Sequence, residues 1–328
     1  MARSLKSTLT NQIPLITLVG LVVLVGLVDP SFFSFQTLMV LTSDTMTLFL
    51  MAAGATFVIL MGGIDLSVQA VASMTSVVVA VLLPELGILA IPVAVAAGGL
   101  AGLTGGLSHT LLRIPSLIST LAVSGVVTTI AFLLSGARSI NISGAMRDDY
   151  LFWMVGETLG VRNEIWVGLA VLALLVFVQL RTPFGRFARA IGAGERAVIA
   201  SGVRVNRVKA LAFLLSGATA GFSGSLMAAR LGSGSPTLAN ELLLPAIAAI
   251  IVGGTALTGG VGGVWRTFIG ALIIAVVRIG MTFLGVSVFA QQIVFGVVLV
   301  AAVAATIDRS KIQIVKSERP EPQNSTSP

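Results

Sequence analysis

Ten runs of mostly apolar residues, near 13–28, 45–61, 64–82, 88–111, 117–136, 164–180, 207–229, 242–261, 264–284 and 289–307, alternate with short polar breaks. A run of about 17–25 apolar residues is what a helix needs to cross a bilayer core about 30 Å thick. The pattern predicts an all-α, polytopic membrane helix bundle of about ten transmembrane helices, within a range of eight to ten. The first run, Ile13 to Val28, ends in Asp29-Pro30 with no small-residue cleavage site after it. It reads as a retained span and not as a removed signal peptide.

One stretch does not fit a simple helix. From Thr45 to Leu82 the chain carries a single charged residue, Asp65. As one helix rising about 1.5 Å per residue this stretch would measure about 57 Å, roughly twice the bilayer core. Gly62-Gly63 is the place to break it. The pattern returns late in the chain, where IIVGGTALT at 250–258 echoes ILMGGIDLS at 59–67. Paired glycine-broken segments point to a transport path in repeat-built carriers. Gly62, Gly63, Asp65, Gln69, Gly253 and Gly254 are therefore candidate pathway or helix-break residues. Asp65 has two readings: a group near the pathway that caps a helix beginning at Leu66, or the cap of an ordinary cytoplasmic hairpin.

Charge orients the bundle. With the N-terminus inside, fifteen of the twenty Lys and Arg residues fall on the cytoplasmic side and eight of the thirteen acids fall outside. Cytoplasmic loops of membrane proteins carry such an excess, so both termini are expected in the cytoplasm. The net charge of +7 then needs no nucleic-acid partner. The largest external loop is 137–163 and the largest internal one 181–206. Residues 1–309 read as one transmembrane domain and 310–328 as a disordered cytoplasmic tail.

Glycines recur at 98, 102 and 106, and again at 217 and 221. That spacing lets helix backbones approach closely, either for static packing or at a moving interface. Enzyme chemistry finds no foothold. His109 is the sole histidine, cysteine is absent, and no glycine is followed by lysine. These facts exclude an HExxH metal site and a P-loop, and neither a cofactor nor a metal is implied. Asp65 and Arg278 are the only charges expected deep in the membrane, and Arg278 lies close enough to its span's outer end to snorkel. An ion-gradient-driven secondary carrier, the alternative function, would want more buried ionisable groups than this. The internal segment RTPFGRFARAIGAGERAVIASGVRVNRVK carries an amphipathic stretch near 195–201. Such a stretch suits lipid headgroups or a cytoplasmic partner.

Four stretches, FVILMGGIDLSV, RIPSLISTLAVSGV, RTPFGRFARAIGAGERAVIASGVRVNRVK and IIVGGTALTGGVGGVWRTFIGAL, together resemble the permease subunits of bacterial ABC sugar importers of the ribose/xylose/galactose type. The resemblance implies an inner-membrane transport subunit without its own ATPase, working with a cytoplasmic ATP-binding subunit and a periplasmic substrate-binding protein. It also implies a second permease copy and a small-molecule sugar. It places an ATPase-coupling loop at 181–206, with Gly192, Glu195, Arg196, Ala197 and Gly202 at the motif positions. Gln69, Ser108-His109 and Arg266 depart from the family pattern, which bears on the solute and not on the fold.

Overall fold

The computed structural model describes residues 2–306, and the expected disordered tail at 310–328 lies outside them. The chain is an all-α bundle. Ten of its helices answer to the ten apolar runs: α1 (Ala2–Val28), α2 (Phe35–Leu60), α3 (Val68–Leu86), α4 (Ala90–Leu111), α5 (Ser116–Ser135), α7 (Asn163–Arg181), α9 (Val205–Leu231), α10 (Leu243–Val252), α11 (Val264–Phe283) and α12 (Val288–Thr306). The other two, α6 (Gly144–Val155) and α8 (Pro183–Ala200), lie in the expected loops.

α2 is the central post. Within its most apolar stretch, 94% is buried in protein, against 28% for α5, which presents its flank to the surroundings. It packs against α9, α11, α7 and α10. Phe49 meets Phe268 of α11 edge-on at 5.5 Å, and the Thr56 and Thr267 hydroxyls bond at 2.8 Å. α2 starts at Phe35, well ahead of the apolar run expected from Thr45. Ser34 caps it by accepting from the Thr37 amide, and the hydroxyls of Thr42 and Thr45 bond back to carbonyls one turn earlier. Hydroxyls satisfied in this way carry a polar stretch through a helix at little cost, so hydropathy alone places the start too late.

The glycine repeats pack as expected. α4 crosses α9 with Gly98, Gly102 and Gly106 facing Gly217, Gly221 and Phe213. A side chain on Gly102 would run into the Phe213 carbonyl and the Gly217 backbone.

Two expectations are corrected. The internal segment 181–206 is not a loop but is mostly helix α8. Thr182 caps it, Pro183 opens it, and Gly185, Ala188 and Ile191 are buried at helical spacing. Its glycines do not end it, and only Gly194 leaves helical geometry, as a kink. The span at 242–261 is not continuous either. α10 holds 10 residues. That is about half of what a crossing needs. The outer part of that crossing is non-helical chain at 233–239, two strand residues followed by turns. Ser233 and Gly234 (β4) pair antiparallel with Asn141 and Ile140 (β1). The buried Ser76 hydroxyl contacts both the amide and the carbonyl of Ser235 at 3.2 Å, and Ser73 accepts from the Ala239 amide at 3.0 Å. Ser73 and Ser76 lie in the second and third turns of α3, so non-helical backbone reaches well into the bundle. Irregular chain is tolerated at membrane depth only where protein or a polar cavity satisfies it.

In the external segment, Glu157–Thr158 (β2) and Val161–Arg162 (β3) form a small hairpin beyond α6. Tyr150, Phe152 and Trp153 of α6 are exposed.

Candidate functional site

The two glycine breaks close their helices by the same mechanism. At the end of α2, Gly62 adopts φ +77°, its amide donates to Ile59 and the Gly63 amide donates to Val58. At the end of α10, Gly254 adopts φ +94°, its amide donates to Ile251 and the Thr255 amide donates to Ile250. Both are Schellman closures, in which a left-handed residue lets two amides fold back onto the last carbonyls. The second is shifted by one residue relative to the sequence echo, because a glycine pair offers the left-handed position at either member.

Past the first break the chain runs without helix to Ser67, and α5 and α9 hold it there. Ser116 of α5 accepts from the Ile64 amide at 3.0 Å, and Thr120 accepts from the Leu66 amide at 3.1 Å. Asp65 is 3% exposed. Its Oδ1 accepts from the Ser67 amide at 2.9 Å and the Ser67 hydroxyl at 2.6 Å, while Oδ2 accepts from the Ser216 hydroxyl of α9 at 2.7 Å. The helix expected to begin at Leu66 begins instead at Val68 with Ser67 as its cap residue. Asp65 therefore closes a turn ahead of the helix and ties it to α9. Gln69 is half-buried in the first turn of α3 and makes no side-chain hydrogen bond among the described residues.

Past the second break, the chain turns at 255–263 and meets the first. Gln179, at the end of α7, accepts from the Val264 amide at 2.8 Å and donates to the Gly262 carbonyl, and Thr255 accepts from the Gly263 amide. The Gly260 amide then donates to the Leu60 carbonyl at 2.8 Å. Gly192 of α8 completes the junction. A Cβ there would overlap the Leu60 carbonyl and the backbone of Gly259 and Gly260. Gly253 and Gly254 instead lie against the start of α11, where the Arg266 guanidinium donates to the Gly254 carbonyl at 3.2 Å.

Beyond the junction, α8 bends at Gly194 and Glu195 pairs with Lys209 of α9, both carboxylate oxygens at 2.8 Å. Arg196 and Ala197 are exposed, and Gly202 ends the segment at φ +81°. Arg181, Arg186, Arg189, Arg196, Arg204 and Arg207 are all exposed, giving this end of the bundle a cationic surface. His109 lies beside it with its Nδ1 2.7 Å from the Ile114 carbonyl, a bond that holds the α4–α5 turn. A cavity of about 110 Å³ opens between Gly62, Gly63, His109, Glu195 and Lys209.

Sequence reasoning missed Leu60, Gly259 and Gly260, which make the contact with Gly192, and Ser116, Thr120, Gln179 and Ser216, which hold the breaks. The second glycine pair in GGTALTGG was a visible signal, since Gly259 and Gly260 adopt φ of +85° and +78° where the chain turns back onto Leu60. The supporting hydroxyls and amide carried none, because such groups in spans most often bond to their own helix.

No solved structure matches this chain. Residues 37–303 match the family described as branched-chain amino acid transport system / permease component. The chain is 36% identical over 304 residues to a probable ABC transporter permease of Escherichia coli, covering 90% of each. It is 35% identical over 301 residues to a ribose import permease of Haemophilus influenzae, covering 90% of this chain and 93% of that one. An L-arabinose ABC transporter permease of Azospirillum brasilense is 34% identical over 249 residues, 75% of this chain and 73% of its own. Likeness of this extent across nearly the whole bundle settles the question of kinship, and the chain belongs to the family of ABC-transporter permeases.

Proposed function

We propose that this permease carries a monosaccharide or a related small polar solute inward across the bacterial inner membrane, driven by ATP hydrolysis in a separate cytoplasmic subunit. A periplasmic binding protein delivers the solute, and a second permease, identical or similar, completes the pathway. The observation that carries this reading is the junction at Gly192. There one cationic helix bears directly on the end of α2, through Leu60, and on the loop that follows α10, through Gly259 and Gly260. A displacement of α8 cannot be absorbed locally, because the contact is backbone on backbone with no side chain to yield.

In this reading α8 and the residues Gly192, Glu195, Arg196, Ala197 and Gly202 receive the ATP-binding subunit. Closure of that subunit on ATP pushes α8, the Leu60–Gly260 contact transmits the push, and α2 and α10 tilt about their glycine closures. The segment holding Asp65 follows the α2 closure directly and is anchored to α9 through Ser216, so it takes up the tilt of α2. Catalysis of ATP hydrolysis belongs to the partner, and the chain supplies a gated path.

Co-purification with ATP-binding and binding-protein partners, then ATP hydrolysis in liposomes with candidate sugars, tests the proposal. Hydrolysis that rises only with sugar-loaded binding protein is expected. Uptake that proceeds without any ATPase and collapses with an uncoupler would instead establish the ion-driven carrier.

A further inference from the structure

The outer half of the bundle holds a second feature that the junction does not use. Two cavities, of about 380 and 450 Å³, share Asp44, Arg278 and Val288 and together form one cleft between the outer ends of α2, α9, α11 and α12. The smaller also touches Leu238, Glu241 and Leu242, so it lies against the non-helical half of the broken crossing. Asp44 sits more than four helical turns before Leu60 on α2, which sets the cleft in the outer part of the bundle, far from the inner junction.

The charges in this cleft are held in place. Arg230 pairs with Asp44 at 2.5 Å, and its other nitrogen lies 3.8 Å from the fully buried Glu164, which in turn binds Arg162 at 2.7 Å. Arg278 is half-buried and makes no ion pair among the described residues. Around it stand the amide of Gln36 and the hydroxyls of Thr37 and Thr282. Positive and negative groups balance: Arg230 and Arg278 against Asp44 and Glu241 in the smaller cavity, Arg278 against Asp44 in the larger.

We propose that this cleft is a low-affinity site for a neutral polyhydroxylated solute, the outer station of the transport path. The inference rests on the importer reading above. A neutral polyol is favoured over an anion because a phosphate or a lipid headgroup would meet two carboxylates along with the two guanidinium groups. Carboxylate and guanidinium pairs match adjacent hydroxyls, each accepting or donating two bonds in one plane. The volume exceeds what one monosaccharide needs, which suits passage in place of tight retention. The broken crossing supports the location, since discontinuous spans in transporters mark solute sites.

Saturation-transfer NMR on the full permease in nanodiscs, without its partners, tests the site directly with D-ribose, L-arabinose and other neutral monosaccharides as probes. At least one sugar is expected to bind with millimolar affinity. Arg278→Gln and, separately, Asp44→Asn should each weaken that binding at least fivefold, while Arg138→Gln, an exposed external arginine outside the cleft, should not. Loss of folding in one cleft variant leaves the other, and competition on the native protein provides a third arm. Ribose 5-phosphate should compete poorly. The proposal is overturned if no neutral sugar binds, if the cleft variants bind as the native protein does, or if the phosphate competes better than ribose. Sugar-stimulated ATP hydrolysis in the full complex is measured separately. A complex that hydrolyses ATP in response to loaded binding protein, while the isolated permease binds no sugar, discards the cleft and keeps the importer.

Discussion

The Gly260 amide donates to the Leu60 carbonyl at 2.8 Å, and Gly192 of α8 rests against both backbones. Two segments from opposite ends of the chain thus meet under one glycine, with no room for a methyl group between them.

Gly192→Ala should therefore lift α8 off the junction, where overpacking of this kind typically costs about 1–3 kcal/mol. Sugar uptake by the reconstituted complex is expected to fall at least tenfold while the permease still inserts. Gly194→Ala is the matched control: open space surrounds that position and its φ of 179° is extended backbone that any residue adopts. Equal loss in both variants would show that bending of α8, and not its seat on Leu60, is what matters.

Asp65 separates structural tethering from contact with solute. Its oxygens serve three donors in a buried site. Removing them leaves polar groups unpaired at about 1–3 kcal/mol. Asp65→Ala should lower the melting temperature in detergent markedly. Asp65→Asn should lower it less, because the remaining carbonyl still faces Ser67 and the Ser216 hydroxyl can accept from the new amide. Ser216→Ala, which removes one bond, should cost about 0.5–1.5 kcal/mol. The double variant Asp65→Ala/Ser216→Ala should cost less than the sum, since the two residues share a bond. Variants that keep the native melting temperature yet lose uptake would return Asp65 to the pathway.

The Glu195–Lys209 pair joins the bent end of α8 to α9, but the Glu195 side chain is 41% exposed. Solvent screening at such a site leaves the pair only about 0.2–1 kcal/mol of stability. Glu195→Ala with Arg196→Ala should leave the melting temperature nearly unchanged and reduce retention of the ATP-binding subunit on an affinity column. The charge exchange Glu195→Lys/Lys209→Glu distinguishes two causes. Recovered retention would assign the effect to the bridge, whereas continued loss would assign it to contact between Glu195 and the partner. Undiminished retention in the first double variant would remove α8 from the coupling role.

The bundle and the two breaks were legible because apolar runs and glycine pairs are local signals. Gly62-Gly63 was readable since the run around it is too long to cross once as a helix, and the real break falls there. The crossing at 233–252 was not, because its outer part is strand and turn whose backbone groups are met by Ser73 and Ser76, far back in the sequence on α3. α8 was hidden for a different reason: Gly192 and Gly194 look like helix breakers, yet Gly192 is required by what packs against it. The seat of Gly192 on Gly260 depends on tertiary contact, which no local pattern reports, whereas Gly253 and Gly254 stand out by their echo of Gly62 and Gly63.

The α4–α9 crossing offers the cleanest test of packing without transport chemistry. In lipid no hydrophobic drive holds two helices together, so close backbone approach supplies the association. Gly102 faces the Phe213 carbonyl and Gly217, and Gly217 faces the Gly98 carbonyl and Gly102. Alanine at either position forces the helices apart over the whole crossing and should cost at least about 1–3 kcal/mol. Gly99, on a neighbouring face of the same helix, would place a methyl 3.6 Å from the Ala218 Cβ and the Leu214 carbonyl, ordinary contact distance. Thermal unfolding of Gly102→Ala, Gly217→Ala and Gly99→Ala in one detergent should show a clear drop for the first two and little change for the third. If Gly102→Ala melts like the native protein, then α4 and α9 slide past one another in the resting state, and the glycine stripe is a moving interface.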